Sequence, residues 1–186
     1  HTMYELFNNI PEVSCERVFL PDEAEMREYE KSRTPLLSLE SQTPLKDFDV
    51  VAFSISFETD YLNMAKMLQM SQIPIWSDKR NHFHPLVIMG GAASFLNPEP
   101  IADFTDVIAV GEGEILVHQL IDTILEGGTK DEILLNLAKL GRGFYIPSLY
   151  NVIYNDDGTV FDYVPKEAGV PKRVGRALAA VNPKEG

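Results

Sequence analysis

Residues 85–114 read PLVIMGGAASFLNPEPIADFTDVIAVGEGE. Two short apolar runs, PLVIM and DVIAV, each end on glycine, and a loop containing Asn-Pro-Glu-Pro separates them. Neither run alternates with polar residues. That is the mark of strands covered on both faces, as in a parallel sheet sandwiched between helices. Glycine at a strand end permits positive φ and the close approach of another group to the backbone. What approaches these two turns is the question that the rest of the sequence has to answer.

Working outward, residues 47–60 (DFDVVAFSISFETD) contain a third apolar run. Residues 50–57 of it read as a central parallel strand rather than an edge. Residues 61–70 then place Leu62, Ala65, Met67 and Leu68 near helical spacing, and Met64, Met67 and Met70 read as filler between helix and sheet. Beyond the quoted stretch, residues 114–126 form an amphipathic helix stopped by Gly127 and Gly128. A second helix follows over residues 130–140. The segment GFYIPSLYNVIYNDDGTVFDYVP, residues 143–165, reads as a hairpin turning at Asn155-Asp156-Asp157-Gly158.

Upstream, residues 3–9 (MYELFNN) predict a helix stopped by Pro11. Two short strands are expected at ERVFLP, 16–21, and PLLSLES, 35–41, on either side of the exposed acidic helix DEAEMREYEKSR. Strand and helix alternate, which indicates an α/β fold with a doubly wound parallel sheet. A wound sheet entered through a helix lacks its first strand: either that strand lies upstream of His1 or the sheet starts one strand short. Three regions result. Residues 1–145 form the wound domain and 146–165 a β-hairpin appendage. Residues 166–186 are a linker whose few large apolar side chains do not offset the entropy of ordering it.

The 186-residue chain carries 28 acidic against 16 basic residues, a formal net charge of −12. That balance disfavours broad nucleic-acid backbone binding, which needs a basic face. No run approaches the length of a membrane span, and the expected location is cytoplasmic. The single cysteine, Cys15, reads as structural, since one thiolate does not hold an iron–sulfur cluster. His82 and His84 sit in a polar loop and also read as structural.

In a wound sheet, ligands lie over the carboxyl ends of the strands. The loops there supply the candidate cofactor-binding residues Ser54, Ser56, Glu58, Gly90, Gly91, Gly111, Glu112 and Gly113. They form neither the G-x-G-x-x-G dinucleotide pattern nor a P-loop, so nucleotide phosphate is disfavoured. Taken alone, Glu112 and Glu114 read as carboxylates favourably placed at a helix start.

The quoted stretch resembles the distal half of the cobalamin-binding-like domain at the front of many radical S-adenosylmethionine proteins. The resemblance rests on the Gly-Gly strand end, the NPEPIADF insert and the Asp-x-x-x-x-Gly-Glu-Gly-Glu pattern from Asp106 to Glu114. With residues 39–49 (LESQTPLKDFD), it is similar to a bacterial branch of that superfamily. The resemblance implies a flavodoxin-like domain followed by a radical domain, which binds a 4Fe-4S cluster through a three-cysteine loop and cleaves S-adenosylmethionine. No such loop occurs in these residues, so the fragment is not catalytic alone; its partner is the downstream radical domain. Cobalamin is the one cofactor the resemblance offers this region, yet the Asp-x-His-x-x-Gly pattern of a histidine lower ligand is absent. Two functions compete: an accessory domain shaping part of a cofactor or substrate cavity, and a ligand-free interaction domain of the same fold. A free-standing flavodoxin-type electron carrier is the weakest alternative, for want of a serine/threonine-rich phosphate loop.

Overall fold

The computed structural model describes residues 2–178. The chain opens with α1 (Thr2–Asn8) and α2 (Glu23–Ser32), then alternates β1 (Val50–Ser54), α3 (Tyr61–Met70), β2 (Leu86–Gly90), α4 (Ala93–Leu96) and β3 (Val107–Ala109). Helices α5 (Gly113–Leu125) and α6 (Lys130–Lys139) follow, then β4 (Phe144–Tyr145) and a hairpin of β5 (Tyr150–Tyr154) and β6 (Val160–Pro165). Strands β1 to β4 form one sheet in sequential order, parallel except for the antiparallel β4. The fold is mixed α/β, consistent with flavodoxin-like, with the antiparallel hairpin as a separate two-stranded sheet.

The non-alternating strands have two covered faces, as the sequence demands. Val51, Val87, Met89 and Ile108 face a cluster built on α3, with Tyr61, Met64, Met67 and Leu68. Leu86, Ile88 and Val107 face the opposite cluster, with Leu116 and Leu120 of α5 and Leu134 and Leu137 of α6. Met64 and Met67 are thus core filler. Local chemistry sets the helix ends. Asp22 and Glu25 close a capping box on α2, and Thr129 with Glu132 closes another on α6.

Several expected elements differ. Residues 16–21 form no strand: the segment is extended, but it meets residues 37–40 mainly through Leu39 N–H to the Arg17 carbonyl and Arg17 to Glu40. Residues 35–41 contribute only an isolated bridge, Leu37 to Pro44. The run 50–57 is a strand only to Ser54, and it lies at the sheet's edge rather than its centre. Ala52 is exposed in an open groove between β1, α5 and residues 12–16. Strand β2, with Leu86 to Met89 all buried, holds the central place.

The expected loose linker also behaves otherwise as far as Leu178. Val170 and Ala177 are buried, and Ala177 makes a parallel bridge to Gly111. Ala177 N–H donates to the Val110 carbonyl (3.0 Å), and Glu112 N–H donates to the Ala177 carbonyl (2.9 Å). Small residues bury this segment through backbone pairing, without the large apolar side chains that a composition count looks for. The remainder of the expected linker, 179–186, lies outside the described residues.

At the amino edge of the sheet, the Asp106 carboxylate is buried against Arg80 (Nε to Oδ2, 3.1 Å) and Lys130 (Nζ to Oδ1, 3.0 Å). Its Oδ2 also accepts the Val87 N–H at 2.8 Å, while the Asp106 N–H donates to the Val87 carbonyl at 2.9 Å. Arg80 also donates through Nη1 to the carbonyls of Pro74 and Ile75 and through Nη2 to that of Phe104. Asp106→Ala leaves that guanidinium buried without its counter-charge, and should destabilise the chain by about 3–5 kcal/mol in urea unfolding. A loss below about 1 kcal/mol, the range of a neutral surface change, would show the pair to be dispensable.

Candidate functional site

Because β1, β2 and β3 run parallel, all three strand-end loops emerge on one edge. Ser54 ends β1, opposite Gly90 at the end of β2. Ser56 and Glu58 lie in the short exposed link to α3, and Gly111, Glu112 and Gly113 turn β3 into α5. The eight sequence-derived candidates therefore share one edge. What they face is more specific.

Gly91, at φ 99°, lies against the backbone of Ile55. A Cβ there would stand 2.8 Å from the Ile55 nitrogen and closer still to its carbonyl oxygen. The loops are laced at that point: Ile55 N–H donates to the Gly90 carbonyl (2.8 Å), and Ala93 N–H donates to the Ile55 carbonyl (3.1 Å). Gly111, at φ 148°, packs on Ala177 in the same way, with a built Cβ 2.8 Å from the Ala177 nitrogen. Gly113 opens α5 beneath the Met3 side chain. The group that approaches each glycine is this chain itself. These positions do not fit a corrin resting on the backbones of Gly91 and Gly111, because Ile55 and Ala177 already fill that space.

An open cavity of about 260 Å³ lies beside these turns, lined by Ser94, Phe95, Glu99, Tyr145, Tyr150, Tyr163 and Lys172 among others. None of the eight sequence candidates lines it. The Ser94 hydroxyl, 2.7 Å from the carbonyl oxygens of both Gly91 and Ala109, fixes the loop between β2 and β3. Glu99, between Pro98 and Pro100, opens the 3-10 turn Glu99–Phe104 and is exposed at the cavity. The rings of Tyr145 and Tyr150 stand 5.4 Å apart and tilted by 57°. The Tyr150 hydroxyl donates to the Pro171 carbonyl at 2.7 Å. Lys172 pairs with Asp162 at 2.7 Å, and the Arg176 guanidinium lies 4.5 Å over the ring of Phe95. Residues 171–176 thus supply part of the cavity's wall and rim.

The tyrosines are held protonated. Burial first, then the negative charge of Glu99 and a hydrogen bond to it, raise Tyr145 well above the ordinary phenol range. The same causes in the same order push Tyr163 up to about 12. The sequence carried a partial signal for this cluster, in a glutamate pinned between two prolines and a tyrosine-rich hairpin. Nothing in the sequence joined the two.

Elsewhere, burial and then the charges of Glu40 and Glu16 raise the Cys15 thiol, which keeps it from the reactive thiolate form. His84 Nδ1 accepts the Asn81 N–H at 3.1 Å, inside its own turn.

Two outcomes follow from this geometry. Gly111→Ala drives a methyl group into Ala177, so hydrogen exchange should show the Ala177 and Glu112 amides losing protection while Val87 and Met89 keep theirs. Unchanged protection at Ala177 would mean the tail is held by something else. Tyr163 favours its neutral form more in the folded chain than at its unperturbed value of 10.0. That contribution to stability is complete below pH 10 and fades as pH rises towards about 12. In a tyrosinate absorbance titration, Glu99→Gln should lower the pH at which Tyr145 and Tyr163 ionise; identical curves would remove Glu99 as a cause.

Comparison with known proteins agrees with the resemblance read from the sequence. The family model described as radical SAM proteins, N-terminal, matches residues 1–147. An uncharacterized protein of Methanocaldococcus jannaschii, MJ0966, is 32% identical over 76 residues. That match covers 41% of this chain and 16% of the relative, so it spans far less than two thirds of that protein. No solved structure matches. With the family match extending over most of its length, the chain belongs to the N-terminal domain family of radical S-adenosylmethionine proteins.

Proposed function

We propose that this chain is the accessory domain of a radical S-adenosylmethionine iron–sulfur enzyme, and that its carboxyl edge packs on the downstream radical domain to form one wall of the cofactor or substrate cavity. In this reading residues 1–145 are the accessory domain proper, 146–165 an appended hairpin, and 166–186 the connector. The family implies a 4Fe-4S cluster and S-adenosylmethionine in the catalytic domain, which together supply the radical chemistry. This chain's own residues supply shape and contact.

The observation that carries the reading is the course of residues 175–177. They bridge Gly111 in the parallel sense and deliver the chain to the carboxyl edge at the exposed Leu178. Large apolar side chains stand exposed where β1 and β2 lead into α3 and α4: Phe57 at 71% in the loop, Leu62 at 80% in the first turn of α3 and Leu96 at 73% at the end of α4. Grouped exposed apolar residues favour an interaction surface. The glycine turns, filled by Ile55 and Ala177, favour the version in which the domain works without a corrin.

The test uses Leu62→Asp with Leu96→Asp. In the 186-residue chain this double variant should shift stability by no more than about 0.5 kcal/mol per site, as for surface positions. In the longer protein it should speed proteolysis of the connector several-fold and lower turnover. Unchanged proteolysis and turnover in the longer protein would overturn the docking reading.

A further inference from the structure

We propose that the cavity between α4, β4 and the hairpin is a binding site for a small organic cation, a primary or methylated ammonium. This goes beyond the docking surface and does not depend on it: the docking residues Phe57, Leu62 and Leu96 are not among those lining the cavity.

The chemistry of the walls selects the ligand. Tyr145, Tyr150 and Tyr163 supply aromatic surface, and Glu99 supplies a carboxylate. Aromatic faces carry negative potential and attract ammonium groups, most strongly where water is excluded. Glu99 stands near enough to Tyr145 and Tyr163 for its charge to raise both phenols, and its carboxylate can accept a ligand's N–H groups. An anion would meet Glu99 and the aromatic rings, and the lysine that lines the cavity, Lys172, is already paired with Asp162. A neutral apolar guest would desolvate Glu99 and return nothing for it.

Lys172 is engaged by Asp162, and Arg176 lies on Phe95. The stacking of Arg176 shows that the face of Phe95 attracts a cation in this setting. A volume of about 260 Å³ is below that of drug-sized sites and suits a compact head group. Because Glu99 and Phe95 are exposed, the site is open to ligands from solution.

The test titrates the 186-residue chain, labelled with ¹³C at its tyrosine rings, with tetramethylammonium chloride while tyrosine resonances are followed. tert-Butanol serves as the neutral analogue of similar shape, and sodium chloride as the ionic-strength control. Saturable shifts at Tyr145, Tyr150 and Tyr163 are expected with tetramethylammonium alone. Glu99→Gln, at an exposed position, should keep the melting temperature and weaken the apparent affinity at least about fivefold, within the range of such interactions. Tyr163→Phe is the second variant: it keeps the ring face, so it should retain binding better than Glu99→Gln does. Equal shifts with tert-butanol, no saturable shift, or an affinity indifferent to Glu99→Gln would each overturn the assignment.

Discussion

The structure hangs on one buried carboxylate. Asp106 exchanges two hydrogen bonds with Val87, one through its backbone and one through its side chain. This reciprocal pair fixes where β3 starts relative to β2. In a parallel sheet, a fixed start also fixes the relative heights at which the strands end. The positions of Gly90, Gly91 and Gly111 on the carboxyl edge are therefore set from the opposite edge. A lone carboxylate in that place would be costly. Arg80, Lys130 and the three carbonyls that hold Arg80 make it tolerable, and they draw the start of α6 and the segment before β2 into the same knot.

On the carboxyl edge, the same logic yields self-recognition in place of ligand recognition. A glycine turn at a strand end is a backbone that something can touch. In dinucleotide and phosphate loops a ligand does so. Here Ile55 touches Gly91 and Ala177 touches Gly111. The two uses look alike in sequence, since both require only the absence of a Cβ and a positive φ. The domain has in effect used its glycines to lace loops and tail together.

Much of the architecture was legible because its signals are local. Helix α5 reads from its apolar spacing and its Gly127-Gly128 stop, and the hairpin reads from Asn155 to Gly158, where Gly158 takes φ 83°. Residues 16–21 and 35–41 form no strands because strand-like composition does not specify a partner: Leu39 N–H donates to the Arg17 carbonyl, while Leu36 and Ser38 bond to Met70 and Thr43 instead. The position of β1 is not legible from its run, since an edge strand with Val51 on one core and Val50 on the other still reads as continuously apolar. The tail was misjudged because Gly175 and Ala177 stabilise it by fitting between Gly111 and Gly143, a fit that hydrophobicity does not register. The cavity was illegible for a different reason. Its parts come from 94–99, 145–163 and 172–174, and only the completed fold brings them together.

That assembly gives the segment 171–177 a double position. At one end it walls the aromatic cavity, through Lys172 and the Tyr150 bond to Pro171. At the other it occupies the Gly111 turn and points the chain outward. The contacts differ in kind. Lys172 with Asp162 is a solvent-exposed pair, worth little on its own. Ala177 is 1% exposed and bonded through both its N–H and its carbonyl, so it is the fixed point. Ala177 thereby holds its register with β3 through two backbone bonds, whereas the wall at 171–174 rests on the exposed Lys172–Asp162 pair and on the Tyr150 bond to Pro171.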